Sequence, residues 1–320
     1  MLILWKDSEL NLISGHLSKI QHRFIDKLAV SLFSIYYVTM SSSTNSQTII
    51  FVGVARNVEK TLAQTISILD SIGSHFREYY FFIVESDSND YTLNVLQKLK
   101  LAKQNFHYHS LGKLEEKIPE RTSRIAYCRN EYLKYIFGLE KKLIIDYVAV
   151  VDLDGVNLLL NSESFLSCWN RYDWDACFAN QEGPYYDIWA LRHPTWCPGD
   201  CWIEERGLRR QGFSPRVARK RAIFSKMVIL GARTDWIQVE SAFGGLGIYR
   251  YASLVGKEYR GTDEFGNSTC EHVSVNQEIS KNGGRLFINP LMINDGWNEH
   301  TKVLSLKDKI AKLVARILHA

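Results

Sequence analysis

The chain has 320 residues, with 39 Lys and Arg against 35 Asp and Glu and a formal charge of +4, too close to balance for a general polyanion binder driven by net charge. Hydrophobic residues at 46%, charged residues at 23% and only 6 Pro exclude extensive disorder and leave material for a large core. The 6 cysteines lack the density and regular spacing of a disulfide framework, so a reducing, cytoplasmic compartment is the simpler expectation. One local cluster, His193, Cys197 and Cys201, could hold zinc only with a fourth ligand from elsewhere; the alternative is a turn with ordinary thiols.

Residues 1–47 do not share the pattern of the rest of the chain and are expected to form an extension outside the core; residues 1–39 are open to being an upstream misassigned start. The apolar stretch at 28–40 is too short to span a bilayer and too far from the terminus for a simple signal peptide. From Thr48 the pattern becomes regular. TIIFVGVA is a continuous apolar run suited to a buried parallel strand and gives way to a helical period in VEKTLAQTISILDSI. YYFFIVES repeats the strand signal, succeeded by a helix from about Tyr91 to Leu101, a short strand at NFHYHS, a helix from Ser123 to Phe137 and a fourth strand in DYVAVVDLDG. This alternation predicts an α/β fold, Rossmann-like, with a mostly parallel central sheet flanked by helices. Ligands then bind beyond the carboxyl ends of the strands. The second half mixes elements without a second doubly wound pattern, which predicts one domain over 48–300 with an elaborated second half. The last segment, 301–320, reads as a basic amphipathic helix. It puts Leu306, Ile310, Leu313 and Ile317 on one face, suited either to peripheral contact with anionic lipid or to packing on its own domain.

Asp152 and Asp154 in VVDLDG are the most informative pair. At the end of a strand, with a turn at Gly155, both carboxylates can reach one ligand. Two neighbouring carboxylates repel unless a cation sits between them, and Mg²⁺ or Mn²⁺ favours such oxygen donors while keeping positions open for diphosphate oxygens. A bare DxD also occurs as a solvated turn.

VGVARNVEKTLAQTISIL, FFIVESDSNDYTLNVL, RIAYCRNEYL and YVAVVDLDG, in that order and spacing, resemble successive blocks of the GT-A glycosyltransferases, particularly family 2-like enzymes. YYDIWALR is similar to the capsule-associated mannosyltransferases of family 69. The resemblance covers roughly residues 49–295. It implies that Ala55, Arg56 and Asn57 close the first strand beside a nucleotide, that Glu85 and Asp87 meet the base or ribose, and that Arg129, with Asn130 next to it, pairs with diphosphate oxygens. For Arg56 and Arg129 the alternative is a surface ion pair. Gly244 and Gly245 in SAFGGLGIYR would let backbone approach a sugar, or form a plain turn. In the family block that begins Glu-Asp, the Asp is the base; here Glu271 is retained and His272 occupies the Asp position, so base, metal ligand and core histidine are all open for His272. Asp187 would hold sugar hydroxyls beside Trp189, or pair with Arg192 while the ring packs in the core. The resemblance further implies His300 as a third metal ligand.

The implied activity is metal-dependent transfer of a sugar from a nucleotide-sugar donor to a hydroxyl of a glycan or lipid-linked saccharide acceptor. Surface polysaccharide synthesis, capsule or lipopolysaccharide, is the setting the family suggests, with no nucleic-acid partner. The alternatives are a sugar-1-phosphate nucleotidyltransferase, against which the absence of a Gly-rich opening speaks, and a non-catalytic carbohydrate-binding homologue of the same fold.

Overall fold

The computed structural model describes residues 44–140, 142–302, 304, 309–310 and 312–314. The chain from Gln47 onward forms one compact unit. The extension expected over residues 1–47 lies almost wholly outside the described residues, as do Leu306 and Ile317 of the C-terminal face; residues 309–310 and 312–314 are helical.

The first half builds as its apolar runs dictate. Strand β1 (Thr48–Ala55) leads to helix α1 (Leu62–Gly73), β2 (Glu78–Glu85), α2 (Thr92–Ala102), β3 (Phe106–Ser110), α3 (Arg121–Leu139) and β4 (Tyr147–Val151). Neighbours β3, β2, β1 and β4 all pair in parallel. Both faces of this sheet are covered, which is why the strands are apolar at every position rather than at alternate ones. Ile50, Val52, Val148 and Val150 pack with Tyr132, Leu133 and Ile136 of α3 in one core. Phe51 points to the other face, where it stacks on Phe81 at 5.3 Å and meets Phe165 at 6.0 Å. Trp169 and Trp174, both buried, extend that second cluster, so much of the aromatic content fills core.

The second half departs from the alternating pattern. It contains, in order, strand β5 (Ala176–Gln181), helices α4 (Cys201–Arg210) and α5 (Pro215–Ala222), strands β6 (Ile237–Val239) and β7 (Leu246–Arg250), helix α6 (Glu271–Lys281) and strand β8 (Leu286–Asp295). The finished sheet has 8 strands in the order β3-β2-β1-β4-β7-β5-β8-β6. Strand β7 is inserted antiparallel between β4 and β5, and β6 is antiparallel to β8, so the sheet is mixed, with four parallel strands at the β3 end and a further parallel pair, β5 and β8, beyond β7. Insertion of β7 brings the Gly244–Gly245 turn beside the end of β4: the Asp152 amide donates to the Gly245 carbonyl at 2.9 Å. Close approach of β1 and β4 uses Gly53, where a Cβ would lie 2.6 Å from the Val151 carbonyl oxygen.

Candidate active site

A cleft of about 720 Å³ opens beyond the carboxyl ends of β1, β2 and β4, where an open α/β sheet places its ligands. Its floor is the DxD turn. Asp152 and Asp154 both line it, while Leu153 between them is buried and its carbonyl accepts from the Thr61 hydroxyl at 2.6 Å. The turn after β4 thus brings both carboxylates, with Leu153 between them, to the lining of one cleft.

Arg129 is buried, and its guanidinium spans two carboxylates: Nε donates to Glu271 Oε1 at 2.8 Å and Nη2 to Asp152 Oδ1 at 3.3 Å. The rings of Phe243 and Tyr259 lie 5.4 and 5.8 Å from the guanidinium carbon. Burial opposes the charge, yet Tyr132, Glu271 and Asp152 hold the guanidinium's pKa well above its usual value. The ion pair left open by the sequence is thus an interior one for Arg129. Its neighbour Asn130 faces the other way and brackets the Tyr259 backbone, donating to its carbonyl at 2.9 Å and accepting from its amide at 2.8 Å.

Glu271 opens α6, where the helix N-terminus favours a carboxylate. His272 comes next, buried, with its ring stacked on Phe243 at 3.6 Å between centroids. Among the described residues neither ring nitrogen has a hydrogen-bond partner, Nε2 lying 3.5 Å from Glu271 Oε1, and burial, then Arg129, pushes its pKa well below the usual value, which favours the neutral imidazole. Asp187 reaches the cleft from the loop after β5. Backbone amides hold it: Oδ2 accepts from Gly244 at 3.0 Å and Oδ1 from Ala190 at 3.3 Å. Its pKa is raised, first by burial. It does not pair with Arg192, which bonds Asp200 at 3.2 Å; the Trp189 indole also donates to Asp200, at 2.9 Å, while its ring lines the cleft. Asp152 is raised to about 7, first by burial and then by Asp154, Glu271 and Asp187, against the pull of Arg129. Its side chain is 31% exposed, on the cleft side, with burial the first cause of the rise and the neighbouring carboxylates adding to it.

Other residues singled out from sequence fall differently. Ala55 and Arg56 line the cleft, with Arg56 held in an exposed ion pair to Glu115 at 2.6 Å. Asn57, Glu85 and Asp87 lie off its wall. Asn57 (φ 55°) accepts from the Asn89 amide at 2.8 Å, Glu85 is buried against the Ser110 hydroxyl and the Ser88 amide, and Asp87 accepts from the Glu115 amide at 2.8 Å. His300 lines the cleft, stacked on Tyr186 at 4.7 Å between centroids. His193 accepts from the Thr195 and Trp196 amides at 3.2 and 3.1 Å, which makes that stretch a turn, with Cys197 and Cys201 as buried thiols.

Gly244 and Gly245 sit beneath the cleft, fixed by three buried amides that were not singled out from sequence. Asn157 donates to the carbonyls of Asp152 (2.8 Å) and Gly245 (3.0 Å); Asn294 donates to Asn157 Oδ1 (2.9 Å) and the Gly244 carbonyl (2.8 Å); Gln181 donates to the Gly244 carbonyl and to Asn294 Oδ1, both at 3.1 Å. Asn294 within the apolar strand run LFINPLMIND was the available signal, because an amide buried in a strand must find partners.

The donor set fits a hard divalent ion. A carboxylate whose pKa is raised by burial and, further, by the charge of Asp154 is stabilised in its ionised form by a cation, and the oxygens of the two suit Mg²⁺ or Mn²⁺. Among the described residues no group of three or more His, Cys, Asp or Glu could hold an ion by itself, so the remaining ligands would have to come from water or substrate. No helix among the described residues is long and apolar enough to cross a membrane.

No family model and no curated protein matches the chain. Similar solved structures include TarS 1–349 of S. aureus (14% identity, 76% of this chain and 57% of that chain, TM-score 0.38). The same TarS segment in complex with UDP-GlcNAc matches at 14% identity over 81% of this chain and 62% of that one, TM-score 0.40. The mannosyltransferase PcManGT from Pyrobaculum calidifontis, in complex with GDP-Man and Mn²⁺, matches at 11% identity over 85% of this chain and 64% of that one, TM-score 0.43. The chain therefore spans less than two thirds of each of these structures. At such scores the likeness by itself assigns neither substrate nor mechanism.

Proposed function

We propose that the protein is a metal-dependent glycosyltransferase of the GT-A type, taking a nucleotide-sugar donor and a hydroxyl acceptor on a glycan or lipid-linked saccharide. The observation that carries this reading is the convergence of Asp152, Asp154, Asp187, Glu271 and Arg129 on one cleft at the carboxyl ends of parallel strands. Asp152 and Asp154 would hold Mg²⁺ or Mn²⁺, which when bound offsets the negative charge that the departing nucleoside diphosphate acquires. The chain's own residues do the rest. Arg129 fixes the Asp152 carboxylate in place and shields it from Glu271. Arg56 and Arg121 add positive charge to the rim where diphosphate oxygens would lie. Asp187, held by two backbone amides rather than by a cation, is the carboxylate best placed to take the acceptor's proton, with a raised pKa that suits a general base. Glu271 is committed to Arg129, and the neutral His272, packed face to face on Phe243, is the alternative base. Trp189 and Trp202, with Ile223, Phe224 and Met227, give the far end an apolar wall against which a pyranose or lipid portion can lie.

Thermal unfolding in the presence of UDP-, GDP- and CMP-sugars, each with and without Mn²⁺, tests the reading. One donor should raise the melting temperature only with the metal, because ligands of the native state alone stabilise it. Asp154→Asn, at an exposed position, should leave the unliganded melting temperature unchanged and abolish that shift together with any donor hydrolysis or transfer. A metal-dependent shift retained in Asp154→Asn would reject the clamp. Turnover of a sugar 1-phosphate with a nucleoside triphosphate would instead select nucleotidyl transfer.

A further inference from the structure

Helices α4 and α5 pack on each other as a hairpin joined by Gln211–Ser214, and their sequence is unlike the rest of the chain. From Arg206 to Arg221 there are seven Lys and Arg and no Asp or Glu, all seven exposed, in a chain whose total is only +4. Buried Ala218, Ala222 and Cys201 mark the inner face. The outer face is not purely polar. Ile203 is 47% exposed and stands at helical spacing with Arg206 and Arg210, and Val217 is 38% exposed with Lys220 and Arg221 one turn on. Arg219 is tied to Glu205 at 4.0 Å and Arg221 lies over Phe213 at 4.3 Å, whereas Arg209, Arg210 and Arg216 make no ion pair among the described residues. Arg209, Arg210 and Arg216 on the two adjoining helices are like charges without an ion pair among the described residues, an arrangement that an external anionic surface would stabilise.

The hairpin also adjoins the apolar end of the cleft. Trp202 belongs to α4, and Ile223 and Phe224 come directly after α5; all three line the cleft. Lys312 Nζ donates to the Phe224 carbonyl at 3.1 Å, which brings a helical stretch with exposed Ile310, Leu313 and Val314 to the hairpin's end.

We propose that the α4–α5 hairpin docks the protein on a membrane surface rich in anionic phospholipid. Its cations would meet headgroup phosphates, and its exposed aliphatic side chains would enter the headgroup layer. A soluble polyanion would satisfy the charges but leave Ile203, Val217 and the apolar cleft end without a role. This extends the transferase reading by naming the side from which a lipid-linked acceptor would arrive, but it is tested without turnover.

The full chain is sedimented with vesicles of phosphatidylcholine alone and of phosphatidylcholine mixed with phosphatidylglycerol. Binding is expected only to the anionic vesicles, and it should be lost near 1 M salt, where the screening length falls to about 3 Å. Arg209→Glu/Arg210→Glu/Arg216→Glu should weaken vesicle binding by roughly tenfold or more, given the contribution of each basic residue near an anionic surface. The corresponding Gln triple should be intermediate, and it carries the test if the Glu triple fails to fold by circular dichroism. Equal binding to both vesicle types, unaltered binding by the variants, or binding to inorganic polyphosphate without binding to vesicles would each overturn the proposal. Because metal-dependent donor stabilisation is measured separately, failure here leaves the transferase reading standing, and the reverse also holds.

Discussion

Arg129 and Glu271, 142 positions apart in the chain, meet at 2.8 Å with both side chains almost fully buried. The pair joins α3 to the first turn of α6, and through Arg129 Nη2 it also reaches the floor of the cleft at Asp152. One guanidinium thus carries two jobs, neutralising an interior carboxylate and orienting a cleft carboxylate.

Removing Glu271 leaves that guanidinium buried with the longer contact to the Asp152 carboxylate and a 3.5 Å contact to the Tyr132 hydroxyl. Breaking an interior ion pair from one side is destabilising by about 3 to 5 kcal/mol, and the remaining Asp152 contact places Glu271→Ala toward the lower end. Glu271→Gln keeps an acceptor for Nε and should lose less. Urea denaturation of both variants checks the order; equal stability of Glu271→Ala and the natural protein would show that Arg129 is satisfied without its partner.

A second prediction concerns pH. Asp152 holds its proton up to about 7 in the folded protein, whereas an unfolded Asp releases it at about 3.9. Between those values the folded state binds more protons than the unfolded one, so the Asp152 contribution to stability falls as pH rises through the window and is constant on either side. His272, buried and neutral, acts in the opposite sense, since the unfolded chain protonates it below its usual pKa. Comparison with Asp152→Asn separates them, because His272 and Asp187 remain in both proteins. The stability of Asp152→Asn should rise relative to the natural protein from about pH 4 to about pH 7. Denaturant midpoints measured across that range read the slope; a difference that does not change with pH would mean that Asp152 ionises like an ordinary surface carboxylate.

The sequence-legible part of this site is its floor. Strands β1, β2 and β4 are buried on both faces, so their apolar runs stand out, and the polar residues at their ends mark the cleft. Ala55, Arg56, Arg129, Asp152, Asp154, Asp187, Glu271, His272 and His300 were all singled out from sequence, and all line it. What the sequence concealed is pairing across distance. Arg129 could be read as a diphosphate contact or an ion pair, and only folding selects Glu271 and Asp152 as its partners. Glu85 looked like a ligand because it ends a strand, yet the Ser88 amide and Ser110 hydroxyl take up its carboxylate inside the fold. Helices α4 and α5 have few apolar residues at helical spacing among their arginines, so periodicity did not reveal them. The antiparallel insertion of β7 left no local trace either, because a strand carries no signal of its neighbour's direction.

The third prediction tests whether the Gly244–Gly245 turn sets the position of Asp152. Gly245 has φ +88°, and a Cβ there would lie 2.6 Å from Val156 Cγ2 and 3.0 Å from the Tyr186 hydroxyl. Gly245→Ala therefore meets two penalties, a left-handed backbone and an overpacked site, each of about 1 to 3 kcal/mol. Gly266→Ala is the matched control: φ is +78°, but nothing lies within 4 Å of the added Cβ. The control isolates backbone strain, and the difference between the variants isolates the clash. Relief of that clash moves Val156 and Tyr186, both of which line the cleft, or shifts the Gly245 carbonyl, which accepts from the Asp152 amide at 2.9 Å and from Asn157 at 3.0 Å. Gly245→Ala should accordingly lose more stability than Gly266→Ala in urea and also lose metal-dependent stabilisation by nucleotide-sugar, which Gly266→Ala retains. If both variants bind donor as the natural protein does, the turn is a scaffold element without influence on the aspartates, and the close packing around Gly245 serves the core alone.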